Sequence, residues 1–176
     1  MTTTWKLDPT HSEVAFKVKH LVITTVTGYF RSFDGTLTTT DDADFSTGSV
    51  AFSLDTASID TNQEQRDNHL KSADFFNAEK YPQIVFTSTA IEKKGGNAYL
   101  LHGDLTVGET TKPVQFDVEF GGTVTDPYGN FKAGFEVSGK INRKDFGLTW
   151  SAVTEAGAVV VSDEVKIQAS VQFVKQ

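Results

Sequence analysis

Alternation with a period of two runs through most of this chain and limits its fold more than any other feature. Successive side chains of a strand point to opposite faces, so apolar residues at every second position mark one buried face. Val14, Phe16 and Val18 share a face, with Lys17 and Lys19 on the other. The pattern returns at Val50, Phe52 and Leu54, at Tyr99, Leu101, Leu105 and Val107, and at Val114, Phe116, Val118 and Phe120. It recurs at Phe131, Ala133, Phe135, Val137 and Ile141, and finally at Val165, Ile167, Ala169, Val171 and Phe173. Segments 27–38 and 83–92 carry a less regular version. The sum is about eight strands, each burying one face.

Turn residues separate these runs at Asp41-Asp42, Gly95-Gly96-Asn97, Gly121-Gly122 and Asp126-Pro127-Tyr128-Gly129, over connections short enough for antiparallel neighbours. Such strands can close into a barrel or stack as two sheets. Closure leaves no exposed edge and is favoured for strands this long, although periodicity alone does not choose between the two. The 176 residues contain no linker, low-complexity block or fixed repeat, so residues 1–176 are expected to form a single domain.

One stretch breaks the pattern. Thr61, with Glu64 three residues on, reads as a capping box, and Gln63 to Lys71 contains helix formers without a breaker. Leu70, Ala73, Phe75 and Phe76 gather at the end of this one short helix, and Pro82 stops it and opens the next strand. Two adjacent phenylalanines need burial, and the open end of a barrel can supply it. The segment is expected to cap one mouth.

Composition narrows the chemistry. A net charge of -7 removes the global attraction to phosphate, so nucleic acid is not an expected partner. The chain has no cysteine, which rules out disulfides and thiolate sites. His11, His20, His69 and His102 lack the local spacing of a metal site, and no metal or cofactor is expected. There is no G-x-S-x-G elbow and no phosphate loop, so nothing marks the chain as an enzyme. Fourteen Phe against four Tyr and two Trp suit the lining of an apolar space, whether an ordinary core or a lumen. Polar residues flank that space in Asp8-Pro9-Thr10-His11-Ser12, Arg66-Asp67-Asn68-His69 and Asn142-Arg143-Lys144-Asp145. His11, Arg66, His69 and Arg143 could meet a ligand's polar head. The plainer reading makes them turn, cap and ion-pair residues. The first residues lack a signal peptide's apolar core and no apolar run is long enough to span a bilayer. A cytoplasmic location is expected as the sequence stands, or a periplasmic one if it begins at a processed N-terminus.

In the order of its motifs the chain resembles the YceI-like family of polyisoprenoid-binding, lipocalin-like barrels. The resemblance rests on Asp8-x-x-His11-Ser12-x-Val14-x-Phe16-x-Val18-x-His20, Gly28-x-Phe30-x-x-Phe33-x-Gly35, Arg66-Asp67-x-His69-Leu70, Asp74-Phe75-Phe76 and Tyr81-Pro82. It continues through Gly103-x-Leu105-Thr106, Thr111-Lys112-Pro113-Val114, Arg143-x-Asp145-Phe146-Gly147-Leu148 and Asp163-Glu164-Val165. One departure is Gly108-Glu109-Thr110-Thr111, where the family usually has glycine and an apolar residue directly before Thr-Lys, and Glu109 makes this turn more polar. The resemblance implies an all-β, eight-stranded antiparallel barrel that binds, carries or sequesters an isoprenoid lipid of polyprenyl phosphate or quinone type. The tail site is then expected to include Phe16, Val18, Phe30, Phe33, Phe52, Leu70, Phe86, Phe116, Phe135 and Trp150, with Phe75 and Phe76 as a gate. His11, Arg66, His69 and Arg143 would lie near the head group. Transient membrane contact and a homodimer remain open, and a filled barrel serving protein partners is the alternative, with an enzyme using polar mouth residues behind it.

Overall fold

A computed structural model describes residues 2–21, 23–41, 44–149 and 161–176. In chain order its strands are β1 (Thr3–Leu7), β2 (Glu13–His20), β3 (Thr24–Phe30), β4 (Phe33–Thr39), β5 (Ser49–Asp55) and β6 (Ile59–Asp60), followed by helix α1 (Glu64–Lys71). Then come β7 (Gln83–Gly95), β8 (Ala98–Val107), β9 (Thr110–Thr125), β10 (Phe131–Asn142) and β11 (Glu164–Lys175). Every pairing is antiparallel.

Eight strands form a closed ring in the order β1-β4-β5-β7-β8-β9-β10-β11, sealed by β11 against β1 through Trp5↔Lys175, Lys6↔Val174 and Leu7↔Phe173. Closure settles the choice between barrel and sandwich. The first half of β11 pairs with β2 instead, from Lys166↔Lys17 to Ser170↔Glu13, and β3 and β6 continue that side. The chain between β1 and β2 handles the change of partner at Gln172, whose carbonyl accepts from the Asp8 N–H (2.8 Å) and whose N–H donates to Ser12 Oγ (3.0 Å). Two details differ from the sequence expectation. Thr3–Leu7 is a strand although only Trp5 and Leu7 carry its pattern, and segment 27–38 is two strands separated at Arg31-Ser32.

The ring is filled at one end and hollow at the other. At the filled end Trp5 is completely buried and its Nε1–H donates to Thr39 Oγ1 at 3.1 Å. A one-turn helix, Phe45–Thr47, is capped by Asp44 and drives Phe45 into the barrel end. Phe45 lies 5.8 Å from Trp5 and 5.0 Å from both Phe120 and Phe135, spacings typical of favourable aromatic pairs.

Outside the filled end an ion cluster joins three segments. Asp8 accepts from the Thr10 N–H (3.0 Å) and hydroxyl (2.6 Å), from His11 Nδ1 (2.8 Å) and from Lys132 Nζ (3.0 Å), and Lys132 also reaches Asp126 at 3.4 Å. The Thr10 hydroxyl above all holds the Asp8 carboxyl well below its usual value of 3.8; burial opposes it, and the bonds from His11 and Lys132 add to the lowering. A depressed folded-state value contributes stability above 3.8 that is lost as pH falls below it. Asp8→Asn should therefore lower the urea midpoint at neutral pH. The gap to the parent protein should close as the pH of the titration drops below 3.8.

Candidate functional site

The hollow half of the barrel holds a cavity of about 560 Å³, within the usual range for small-molecule sites. Its walls are the inward residues of β2, β3, β5, β7, β8, β9, β10 and β11, and Val171 and Phe173 lie at its floor. Phe16, Phe52, Phe86 and Phe116 come from four different strands, so strand alternation alone delivers them to one space.

Glycines explain why three of these four rings leave room between them. A Cβ on Gly28 would stand 2.2 Å from Phe16 Cζ, one on Gly103 2.4 Å from Phe86 Cζ, and one on Gly139 2.5 Å from Phe116 Cδ1. Each ring thus occupies the volume a neighbouring strand's side chain would take, and lies along the wall. At Gly28 the obstructing atoms all belong to the Phe16 ring, so an added methyl must push that ring toward the lumen. Gly28→Ala should destabilise by about 1–3 kcal/mol, as overpacking does. Measured by urea unfolding, Phe16→Leu should recover much of that loss in the Gly28→Ala background, although alone it removes packing.

α1 and the segment after it cover the mouth. Leu70, Phe75 and Phe76 line the cavity, Phe76 sits edge-on to Phe30 at 5.9 Å, and Phe75 sits edge-on to His69 at 5.2 Å. The expected Thr61–Glu64 capping box is not formed. Asn62 takes a left-handed conformation (φ 67°), the helix begins at Glu64, and Asp67 instead accepts from the Thr61 N–H (2.8 Å) and hydroxyl. Arg66 donates back to Thr61 Oγ1 (2.7 Å) and to the Thr61 carbonyl. The helix is therefore tied to the end of β6 by its own polar residues.

The structure brings together Phe16, Val18, Phe30, Phe52, Leu70, Phe75, Phe76, Phe86 and Phe116, with Arg66, His69 and Arg143 also on the cavity wall. Three expected residues lie elsewhere. Phe33 is stacked on Phe52 at 6.1 Å and does not line the cavity, and Phe135 is packed into the filled end against Phe45 and Phe120. His11 stands outside the barrel, bonded to Asp8. Trp150 lies outside the described residues. Arg143, 3% exposed, donates to the carbonyls of Ser162 (3.0 Å) and Leu148 (2.7 Å) and lies 3.6 Å from Asp163, which makes it a buried strut of the rim. His69 pairs with Asp74 at 2.9 Å. Lys19, His20 and Gln65 also border the cavity and were not anticipated, because nothing in the alternation distinguishes a rim position from a solvated one. Among the described residues no group of three or more His, Asp or Glu is placed to hold a metal ion.

The family model described as YceI-like domain matches residues 5–173. The chain belongs to the YceI-like family. It is 42% identical over 166 residues to Protein YceI of Shigella flexneri, covering 94% of this chain and 83% of that one. Among solved structures, Burkholderia cenocepacia BcnA superposes with a TM-score of 0.82 at 26% identity, over 94% of this chain and 98% of BcnA. A domain from Saccharophagus degradans described as polyisoprenoid binding superposes with a TM-score of 0.70 over 98% of both chains, and at 16% identity it shows the shared fold alone. Glu109, the departure from the YceI-like pattern, has a structural use. It accepts from the Tyr81 hydroxyl and lies 3.7 Å from Lys80, which fastens the β8–β9 turn to the segment behind the cap. That hydrogen bond lowers the carboxyl pKa of Glu109 and raises the phenol pKa of Tyr81.

Proposed function

We propose that this YceI-like barrel holds a long isoprenoid lipid, of polyprenyl phosphate or quinone type, with its tail in the cavity and its polar head at the rim. The observation that carries this reading is an apolar hollow closed by Phe45 and Trp5 at one end and reached past α1 at the other. An elongated guest enters tail first and its head stays where Arg66, His69, Lys19 and His20 lie. The description of the Saccharophagus degradans domain as polyisoprenoid binding is consistent with that guest.

Burying a methylene contributes about 0.8 kcal/mol, so four isoprene units supply well over ~10 kcal/mol of gross transfer energy before ordering costs. A bilayer gives the tail nearly the same relief from water. Selectivity over the membrane then comes from fit against the aromatic wall and from the rim. A filled barrel that serves protein partners is the competing reading, and a cavity of about 560 Å³ weighs against it.

The test is to purify the protein from cells, record its mass under native and denaturing conditions, and extract it with organic solvent. The expected result is an apolar molecule present only in the native mass, together with a higher Tm on adding a polyprenyl phosphate to the emptied protein. Recovery of nothing in repeated preparations, with Tm unmoved by polyprenyl compounds, would sink the reading.

A further inference from the structure

Near the mouth the outer face of the wall carries a row of like charges. Lys140 is the direct cross-strand partner of Lys166, and Lys166 is the direct partner of Lys17, so three lysines stand side by side on β10, β11 and β2. Like charges placed opposite each other destabilise a sheet. Among the described residues Lys140 reaches Glu164 at 3.9 Å, while Lys17 and Lys166 form no ion pair. Lys19 follows two residues nearer the mouth on β2, where it borders the cavity rim. Four residues further along β10 and β2, toward the filled end, that face turns acidic, with Ser170 between them on β11, while Glu164 lies on the mouth side of Lys166. Glu136 is paired with Glu119 on β9, and Glu13 lies across β11 on β2. At strand spacing the two bands lie about 13 Å apart. Beyond the lysines, the tip of the β2–β3 hairpin presents Ile23, 78% exposed, next to Leu21 in a left-handed conformation (φ 53°).

A protein of net charge -7 is repelled overall by an anionic surface, so a local cationic band acts chiefly by choosing orientation. The lysine row is attracted to such a surface and the glutamate band is pushed from it, which turns the mouth inward. An exposed isoleucine at the leading edge suits a surface with an apolar layer behind its charge, which a bilayer has and a nucleic acid lacks. We propose that Lys17, Lys140 and Lys166 with the Ile23 tip dock this barrel, mouth first, onto a membrane rich in anionic lipid. The mouth's role rests on the lipid-holding reading above, whereas docking itself can be measured whatever the cavity contains.

The test is sedimentation of the protein with vesicles of phosphatidylglycerol mixed with phosphatidylcholine, and with vesicles of phosphatidylcholine alone. Binding is expected only to the anionic vesicles and should weaken as salt rises. Lys166→Glu should weaken it by about tenfold or more, since each lysine near an anionic surface contributes measurably to attraction. The same variant places a carboxylate between two lysines, so its Tm should be at or above the parent value, which separates lost docking from lost fold. Lys6→Glu, an equal charge change on exposed β1 at the filled end, should leave binding unchanged. Ile23→Ser should weaken it without altering its salt dependence. Equal binding to both vesicle types, no effect of Lys166→Glu, an equal effect of Lys6→Glu, or displacement from the vesicles by duplex DNA would each overturn the proposal. An empty cavity with docking intact would remove the lipid-holding reading and leave this one standing.

Discussion

The hydrogen bonds that join β11 to β1 over one half of its length and to β2 over the other are the constraint on which the rest of the structure depends. They close the sheet and so define an inside and an outside for every residue of the eight ring strands. Once the ring is closed, alternation in each strand becomes a division between lumen and solvent. The turn at Asp8–Ser12 is where the chain passes from one half of β11 to the other. Its polar residues serve the Gln172 backbone and Lys132, which accounts for a motif that could otherwise be taken for a binding site.

Inside the ring, the same residue type has opposite consequences at the two ends. At the filled end Trp5, Phe45, Phe120 and Phe135 meet ring against ring and leave no space. At the hollow end Phe16, Phe86 and Phe116 lie over Gly28, Gly103 and Gly139. Aromatic content therefore does not measure the lumen. What matters is whether the neighbouring strand offers a glycine to lie against or another ring to meet.

The mouth combines covering and charge. α1 is polar on every turn and buries none of its own residues, so it is held by Asp67, Arg66 and Thr61 bonds at its start and by the Leu70–Phe76 segment at its end. A cover fastened by a few polar contacts and one apolar edge opens at lower cost than a strand of the ring. Next to it, Lys17, Lys140 and Lys166 stand side by side on the outer wall, with Glu164 3.9 Å from Lys140.

Much of this was legible in the residues before any fold was known. Alternation identified the inward face correctly for Phe16, Val18, Phe52 and Phe116, because a period of two is a property of the strand itself. It also marked Phe135 as inward, which it is, but it carries no information on height along the barrel, and Phe135 lies below the cavity, against Phe45 and Phe120. Phe45 escaped notice because it sits on a one-turn helix in a connection, where no period exists. The sequence by itself determined the class of fold and which face of each strand is buried, since these follow from local geometry. Tertiary structure alone decided where the barrel is hollow and which polar groups frame its mouth. Those depend on the register between paired strands, neighbouring or distant in the chain, and register sets Gly28 against Phe16 and Lys166 against both Lys17 and Lys140.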